Sequence, residues 1–423
     1  MNLRAVKGMN DILPEEIGRW HRLEKAFRAM ADVYEYREVR TPIVEPTALF
    51  VRSIGEATDI VEKEMYSFEK HGEGLTLRPE GTAGVVRAFI EHSAHAQRPV
   101  SRWFYMGPMF RAERPQKGRY RQFHQAGCEV FGDPGPVVDA EMIDMLVGFF
   151  RELGIQSIDV HLNSLGGPGT RTRYRDALVA FLEPQKEKLS DDSKRRLETN
   201  PLRILDSKDP RDIELCEKAP SILDLLDEAD RQHFDALCKH LDRLGTPYVV
   251  DTRLVRGLDY YTRTLFEIRG TGGELGSQNA LGGGGRYDNL VRELGGPDTP
   301  AIGFAIGLER ILLAMPEAPA EERISVLLAP LGARAASEAL VIARDLRRLG
   351  IPADVDGRGT SLKSMLRRAN AMGARYCLVL GESEIDRGIV QVKDLAQHTQ
   401  EELPLESVAQ TVASRTPRPT GEA

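Results

Sequence analysis

The segment Leu254-Val-Arg-Gly-Leu-Asp-Tyr-Tyr-Thr-Arg-Thr-Leu-Phe-Glu267 sets a guanidinium, a carboxylate and two adjacent phenols at the head of an alternating strand. That mix is too polar and too aromatic for ordinary packing, and it suits one wall of a substrate pocket. A second cluster follows Phe110, where Arg111, Arg114, Lys117, Arg119 and Arg121 face the single acid Glu113. Guanidinium forks bind phosphate oxygens in pairs, so this loop suits a phosphorylated ligand. By composition alone it equally fits a solvated basic hairpin.

Glu80 and Thr82 in Leu77-Arg-Pro-Glu-Gly-Thr82, with Gln125, Glu129, Tyr260 and Tyr261, add carboxylates, an amide and phenols suited to an ammonium group and a polar ring. Taken singly, each is more often a surface or core-edge residue than a ligand. Gly282 to Gly285 read as a glycine-rich turn, without the G-K-[ST] ending of a phosphate loop or the spacing of a dinucleotide fingerprint. Arg310 falls near the start of an expected helix, Leu308 to Met315, where it can help a helix N-terminus hold an anion. A plain exposed arginine is the competing view.

These residues need elements to position them. Ile17, Trp20, Leu23, Phe27, Met30, Ala31 and Tyr34 recur at helical spacing, which predicts a long amphipathic helix from Glu16 to Tyr34 with Pro14 just before it. Glu38 to Glu45 reads as a strand, at an edge or a bulge because Pro42 cannot donate to a ladder. Ser101 to Gly132 alternates at both ends of the basic loop and predicts two antiparallel strands. Between Gly166 and Leu244, charged helical stretches surround a Pro- and Asp-punctuated middle, the pattern of an inserted helical module. Strand character returns at Tyr248, and Pro316 to Arg323 looks like a linker. The remainder alternates strands (from 324, 353, 376 and 389) with helices (from 336, 362 and 405), as a small α/β domain does, and the end of the chain reads as a disordered tail.

The 423 residues, 41% hydrophobic and 29% charged, fit a soluble protein of two or three domains. No run approaches the ~18 to 20 apolar residues of a membrane span, and the N-terminus has no apolar signal region, so a cytoplasmic protein is expected. Cys128, Cys216, Cys238 and Cys377 form no C-x-x-C pair and suggest neither a disulfide framework nor a zinc site. A net charge of -7 argues against indiscriminate nucleic-acid coating and leaves room for a local basic patch.

Together these pieces resemble one family. Phe110 to Glu129 looks like motif 2 of the class II aminoacyl-tRNA synthetases in the histidyl form, and Gly303-Phe-Ala-Ile-Gly-Leu-Glu-Arg310 looks like motif 3. Leu254 to Glu267 and Ala280 to Asp288 resemble the two signatures specific to histidyl-tRNA synthetases; Asn289 stands where glycine is expected. The resemblance implies an α+β class II catalytic core, an antiparallel sheet with flanking helices, over residues 1–320, with a helical insertion at 167–244. A C-terminal α/β anticodon-binding domain at 324–413 and a disordered tail at 414–423 would follow. It implies ATP-dependent ligation of L-histidine to its tRNA through a histidyl-adenylate, in a homodimer whose contact includes the first helix and the Pro42 strand.

By the same resemblance, Arg111 would hold the ATP α-phosphate, Arg310 the γ-phosphate, and Arg256 would lie across the α-phosphate, with Glu113 and Arg119 also on ATP. Glu80, Thr82 and Gln125 would take the ammonium and carboxylate of histidine, and the catalytic Arg111 and Arg256 would also contact it. Glu129 and Tyr261 would take the imidazole, with Tyr260 close by. Gln116 and Arg121 would approach the acceptor end of tRNA(His), and Mg2+ would bridge phosphate oxygens. Arg358, Lys363, Arg367 and Arg368 are anticodon-contact candidates on charge alone. A regulatory paralogue that partners a phosphoribosyltransferase shares the catalytic fold but typically lacks the anticodon domain and has eroded signatures; here both are whole. A free-standing RNA-binding scaffold has no use for a histidine pocket beside phosphate-directed arginines.

Overall fold

The computed structural model describes residues 3–55, 58–272, 279–317, 325–359 and 361–415. The chain forms two compact units, Met1–Ala318 and Pro319–Ala423. The first is built on an eight-stranded sheet. Its strands are β1 (Arg37–Glu38), β2 (Ser101–Phe110), β3 (Gln122–Phe131), β4 (Ile158–Ser164), β5 (Val249–Val250), β6 (Thr262–Gly270), β7 (Ala280–Arg286) and β8 (Ala301–Gly307). They lie in the order β1-β2-β3-β8-β7-β6-β4-β5. The six central strands are antiparallel, while β1 joins β2 and β5 joins β4 in parallel, so the sheet expected to be antiparallel is mixed at its margins.

Strand side chains alternate between faces, and the two faces differ here in chemistry. One carries Phe104, Cys128, Val130, Ile302, Phe304, Ile306 and Phe266, which pack under the helices Pro14–Val33 and Pro136–Glu152. Phe27 of the first helix meets the rings of Phe104, Phe149 and Phe304 at 6.0, 5.5 and 6.5 Å. Burying each such ring contributes roughly 1.5–3 kcal/mol, which fixes the register of the helix on the sheet. Pro14 occupies the first turn, where its missing N–H costs nothing. The opposite face is lined by glycines and polar residues, and the candidate site lies there.

Three further expectations about this unit change. The run from Glu38 to Glu45 is not one strand: β1 ends at Glu38, and Val44–Pro46 pairs with Glu73–Leu77 in a separate three-stranded sheet. Pro42, with no N–H to offer a ladder, falls in the gap where the chain changes sheets. Between Val250 and Thr262 the chain turns rather than extends, so Arg256, Tyr260 and Tyr261 sit on the loop entering β6. The glycines 282–285 form no turn; they are the centre of β7, paired on both sides. A Cβ on Gly284 would stand 2.0 Å from the Gly303 carbonyl oxygen, so the neighbouring strand leaves no room for a side chain.

The segment after Gly166 is helical, with helices Pro168–Leu182, Asp191–Thr199, Pro210–Cys216 and Glu228–Leu244. The Ser and Asp residues that punctuate it act as caps: Ser190 accepts from Ser193 N at 3.2 Å and Asp227 from Asp230 N at 2.9 Å. It has a core of its own around Leu178, Leu182 and Leu197, but Phe234, Leu237 and Leu241 of its last helix join the main core.

The second unit has a five-stranded sheet in the order Ala353–Val355, Val326–Leu331, Tyr376–Gly381, Ile389–Asp394, Thr399–Pro404, the first three parallel and the last two antiparallel additions. The helices Ala333–Arg348, Leu362–Ala371 and Val408–Ser414 accompany it. Ser414 and Arg415, expected in the tail, are ordered parts of this unit: Ser414 closes the last helix and Arg415 pairs with Glu401. Residues 416–423, Ile324 and most of the expected linker lie outside the described residues. No helix among the described residues is long and apolar enough to cross a membrane.

Candidate active site

The alternation of β3 points Phe123, Gln125, Gly127 and Glu129 to the polar face of the sheet. Gly107 and Gly307 flank Gln125, and Glu129 lies between Gly303 and Trp103. A Cβ on Gly303 would lie 1.5 Å from Glu129 Oε2, so glycine there is what admits the carboxylate. Above this floor is a cavity of about 180 Å³ whose walls include Glu80, Thr82, Arg111, Glu113, Arg119, Gln125, Arg256, Tyr260, Tyr261 and Arg310.

One part of the wall is cationic. Arg111 Nε donates to the Pro79 carbonyl at 2.8 Å, and its guanidinium lies 5.2 Å from the centre of the Phe123 ring. Arg310 Nε donates to Gly118 O at 3.1 Å and Nη1 to Ala280 O at 3.0 Å, which ties the helix Leu308–Ala314 to the basic loop and to β7. Arg119 pairs with the buried Glu113, and Arg256 pairs with Glu267. Burial, followed by the charges of Arg119, Arg111 and Arg256, brings Arg310 down to about 10. Guanidiniums crowded this closely raise each other's energy until an anion arrives between them.

The other part suits a zwitterion. Both oxygens of Glu80 are engaged, accepting from Thr82 N at 2.7 Å and Ala83 N at 2.8 Å, so the carboxylate caps the helix Thr82–Glu91; burial raises its pKa. Gln125 Oε1 is buried and accepts no hydrogen bond, an acceptor left for a ligand N–H. The Tyr260 and Tyr261 rings are tilted together with centroids 4.7 Å apart. Glu129 is not on the wall itself. It lies fully buried behind it, where Oε1 accepts from Thr82 Oγ1 at 2.8 Å and Oε2 from the Tyr287 hydroxyl at 2.5 Å. Burial pushes its carboxyl up to about 8, and the two hydroxyl donors pull the other way.

Gln116 and Arg121 are not part of the cavity. Gln116 is exposed at the loop tip, where its backbone bridges to Arg119. Arg121 braces the loop base: its Nε donates to Glu113 O at 3.0 Å and its backbone N–H to Gly8 O at 2.7 Å. Three residues of the site escaped sequence reasoning. Phe123 was findable by counting back in twos from Gln125. Tyr287 and Glu267 lie inside the two signatures but received no role, because their partners, Glu129 for Tyr287 and Arg256 with Arg269 for Glu267, are set by the folded arrangement. Among the described residues, no group of three or more His, Cys, Asp or Glu side chains could hold a metal ion.

The arrangement can therefore place a phosphate chain among arginines beside a bound amino acid. The family profile described as Histidyl-tRNA synthetase matches residues 8–311, and that of the Anticodon binding domain matches residues 325–415. The chain is 62% identical over 415 residues to a histidine–tRNA ligase of Sorangium cellulosum, covering 98% of this chain and 97% of that protein. It is 48% identical over 418 residues to one from Syntrophotalea carbinolica, covering 98% and 99%. The crystal structure of apo S. aureus histidyl-tRNA synthetase superposes with a TM-score of 0.82 at 35% identity, over 97% of this chain and all of that one. The first unit is thus a class II catalytic core and the second an α/β anticodon-binding domain. The chain belongs to the histidyl-tRNA synthetase family, and its activity is the ligation of histidine to tRNA.

Proposed function

We propose that the cavity activates histidine by in-line attack of its carboxylate on the ATP α-phosphorus. A carboxylate oxygen bonds to phosphorus, the bond to the bridging oxygen breaks, and its electron pair leaves with pyrophosphate. The nucleophile is already ionised at neutral pH, so no general base is required. What remains is positioning and charge neutralisation. Arg111 and Arg256 serve the α-phosphate, Arg310 the γ-phosphate, and Glu113 steadies Arg119 beside the nucleotide. Magnesium would accompany ATP as part of the substrate and would supply further neutralisation of the phosphate charge. The observation that carries this reading is the convergence of Arg111, Arg119, Arg256 and Arg310 on one cavity; burial first, and then the charges of the other three, bring Arg310 down to about 10.

Glu80, Thr82 and Gln125 receive the amino-acid end, and the orphan Gln125 oxygen supports an ammonium there. Tyr261 and Glu129 receive the imidazole, Glu129 from behind the wall and Tyr260 packing alongside. A pocket that hydrogen-bonds a substrate group rejects analogues lacking it by roughly 10⁴ to 10⁵, which makes editing unnecessary. In the second step a hydroxyl of the terminal tRNA ribose attacks the acyl carbon and AMP leaves. Gln116 at the loop tip contacts the acceptor end, with Arg121 fixing the loop base.

The catalytic part spans 1–320 with its insertion at 167–244, and the anticodon part runs from 324 through Arg415. Arg358 and Arg368 are occupied by ion pairs with Asp356 and Asp354, so the exposed Lys363 and Arg367 are the stronger anticodon contacts. Val33 and Leu13, 79% and 56% exposed on and beside the first helix, and Ile43 and Val44 next to Pro42 support a homodimer contact there. We place the enzyme in the cytoplasm, where its substrates meet and its free cysteines stay reduced. Pyrophosphate exchange across the amino acids tests the reading: exchange with histidine alone supports it, and none with histidine sinks it.

A further inference from the structure

The Arg256 guanidinium rests over Gly283, where an added Cβ would stand 2.9 Å from its Cζ and Nη1 and 2.7 Å from the Phe266 carbonyl oxygen. Gly283 is the register partner of Glu267 on β6, and Glu267 Oε2 pairs with Arg256 Nη1. The other carboxylate oxygen accepts from Arg269 Nε at 2.7 Å. Arg269 Nη1 in turn lies 3.2 Å from His161 Nδ1 and 3.5 Å from Asp251 Oδ2. Glu267 and Arg269 are two residues apart on one strand, and His161 is the register partner of Glu267 on β4. A chain of alternating charges therefore runs along rigid strands and ends on an arginine that is itself on a loop.

A carboxylate beside a phosphate-directed guanidinium weakens its pull on an anion. Glu267 has a use there only if it fixes where the guanidinium points, and Arg269 limits the loss by sharing its charge. We infer that Glu267 is a positioning residue for adenylate formation, holding Arg256 flat over Gly283 so that its free edge meets the α-phosphate. This inference rests on the proposed role of Arg256.

Single-turnover adenylate formation and histidine affinity are to be measured for Arg256→Ala, Glu267→Ala, Glu267→Gln and the doubles that combine each Glu267 change with Arg256→Ala. Glu267→Ala is expected to slow adenylate formation about 100-fold, the loss that a misplacement of roughly 1 Å brings, with histidine affinity unchanged. Glu267→Gln keeps the shape and one acceptor oxygen and recovers part of the rate. Each double is no slower than Arg256→Ala alone, because both changes remove one interaction. A normal rate in Glu267→Ala, or losses that multiply in the doubles, overturns the inference and leaves the role of Arg256 standing. A normal rate in Arg256→Ala overturns that role and the inference with it. Should Glu267→Ala fail to fold, as its melting curve would reveal, the Glu267→Gln pair makes the same comparison.

Discussion

The Tyr287 hydroxyl donates to Glu129 Oε2 across 2.5 Å, joining the end of β7 to β3 behind the proposed histidine side of the cavity. With Thr82 on the other oxygen, the carboxylate is held in one orientation. Removing one partner of a buried polar group costs about 1–3 kcal/mol. Tyr287→Phe is therefore expected to raise KM for histidine by roughly tenfold or more while leaving kcat near normal, since the phosphate-directed arginines are untouched. Steady-state pyrophosphate exchange at saturating ATP distinguishes this from a loss carried by kcat.

Glu129 also makes a pH prediction. Its pKa rises from 4.5 unfolded to about 8 folded, chiefly through burial. Between those values the folded state holds more protons than the unfolded one, so the group's contribution to stability falls as pH rises and levels off above about 8. Glu129→Gln removes the titration. Melting temperatures from pH 5 to pH 8 should show the variant gaining on the parent by an amount on the order of a few kcal/mol. Parallel curves would contradict the burial argument.

Gly303→Ala places a methyl 1.5 Å from Glu129 Oε2, between two paired strands that cannot spread. We expect a loss of about 1–3 kcal/mol in stability and a rise in KM for histidine, because the carboxylate must swing away from Thr82 and Tyr287. Thermal unfolding and exchange kinetics on one preparation check both effects.

Arg310 trades stability for function. Its charged form is disfavoured by burial and by Arg119, Arg111 and Arg256, so its folded pKa of about 10 lies below the ordinary 12.5. At neutral pH, well below both values, that charge opposes folding. Arg310→Gln should raise the melting temperature of the ligand-free enzyme and raise KM for ATP. Added ATP should stabilise the parent more than the variant, which differential scanning fluorimetry reads directly.

Much of this was legible in the chain. The helical spacing of Trp20, Leu23 and Phe27 gave the first helix, and the alternation around the basic loop gave β2 and β3, because both patterns are local. Glycines 282–285 misled, since their composition is that of a turn while the cause is the closeness of β8, a neighbour the sequence does not reveal. The strand Thr399–Pro404 was missed for a related reason: it is a largely exposed edge strand with polar side chains, so no apolar alternation marks it. Within the motifs, the residues facing the cavity were assigned, while Tyr287 and Glu267, which act by holding Glu129 and Arg256, were not, since those pairings exist only in the folded chain.

The central claim is that arginine placement, and no general base, drives adenylate formation. The most direct measurement is the single-turnover rate of adenylate formation in Arg256→Ala at saturating histidine and ATP, with histidine affinity measured alongside. The account predicts a fall of about 100-fold or more with histidine affinity retained. A variant that forms adenylate at the parent rate, or that loses histidine affinity by the same factor, contradicts it.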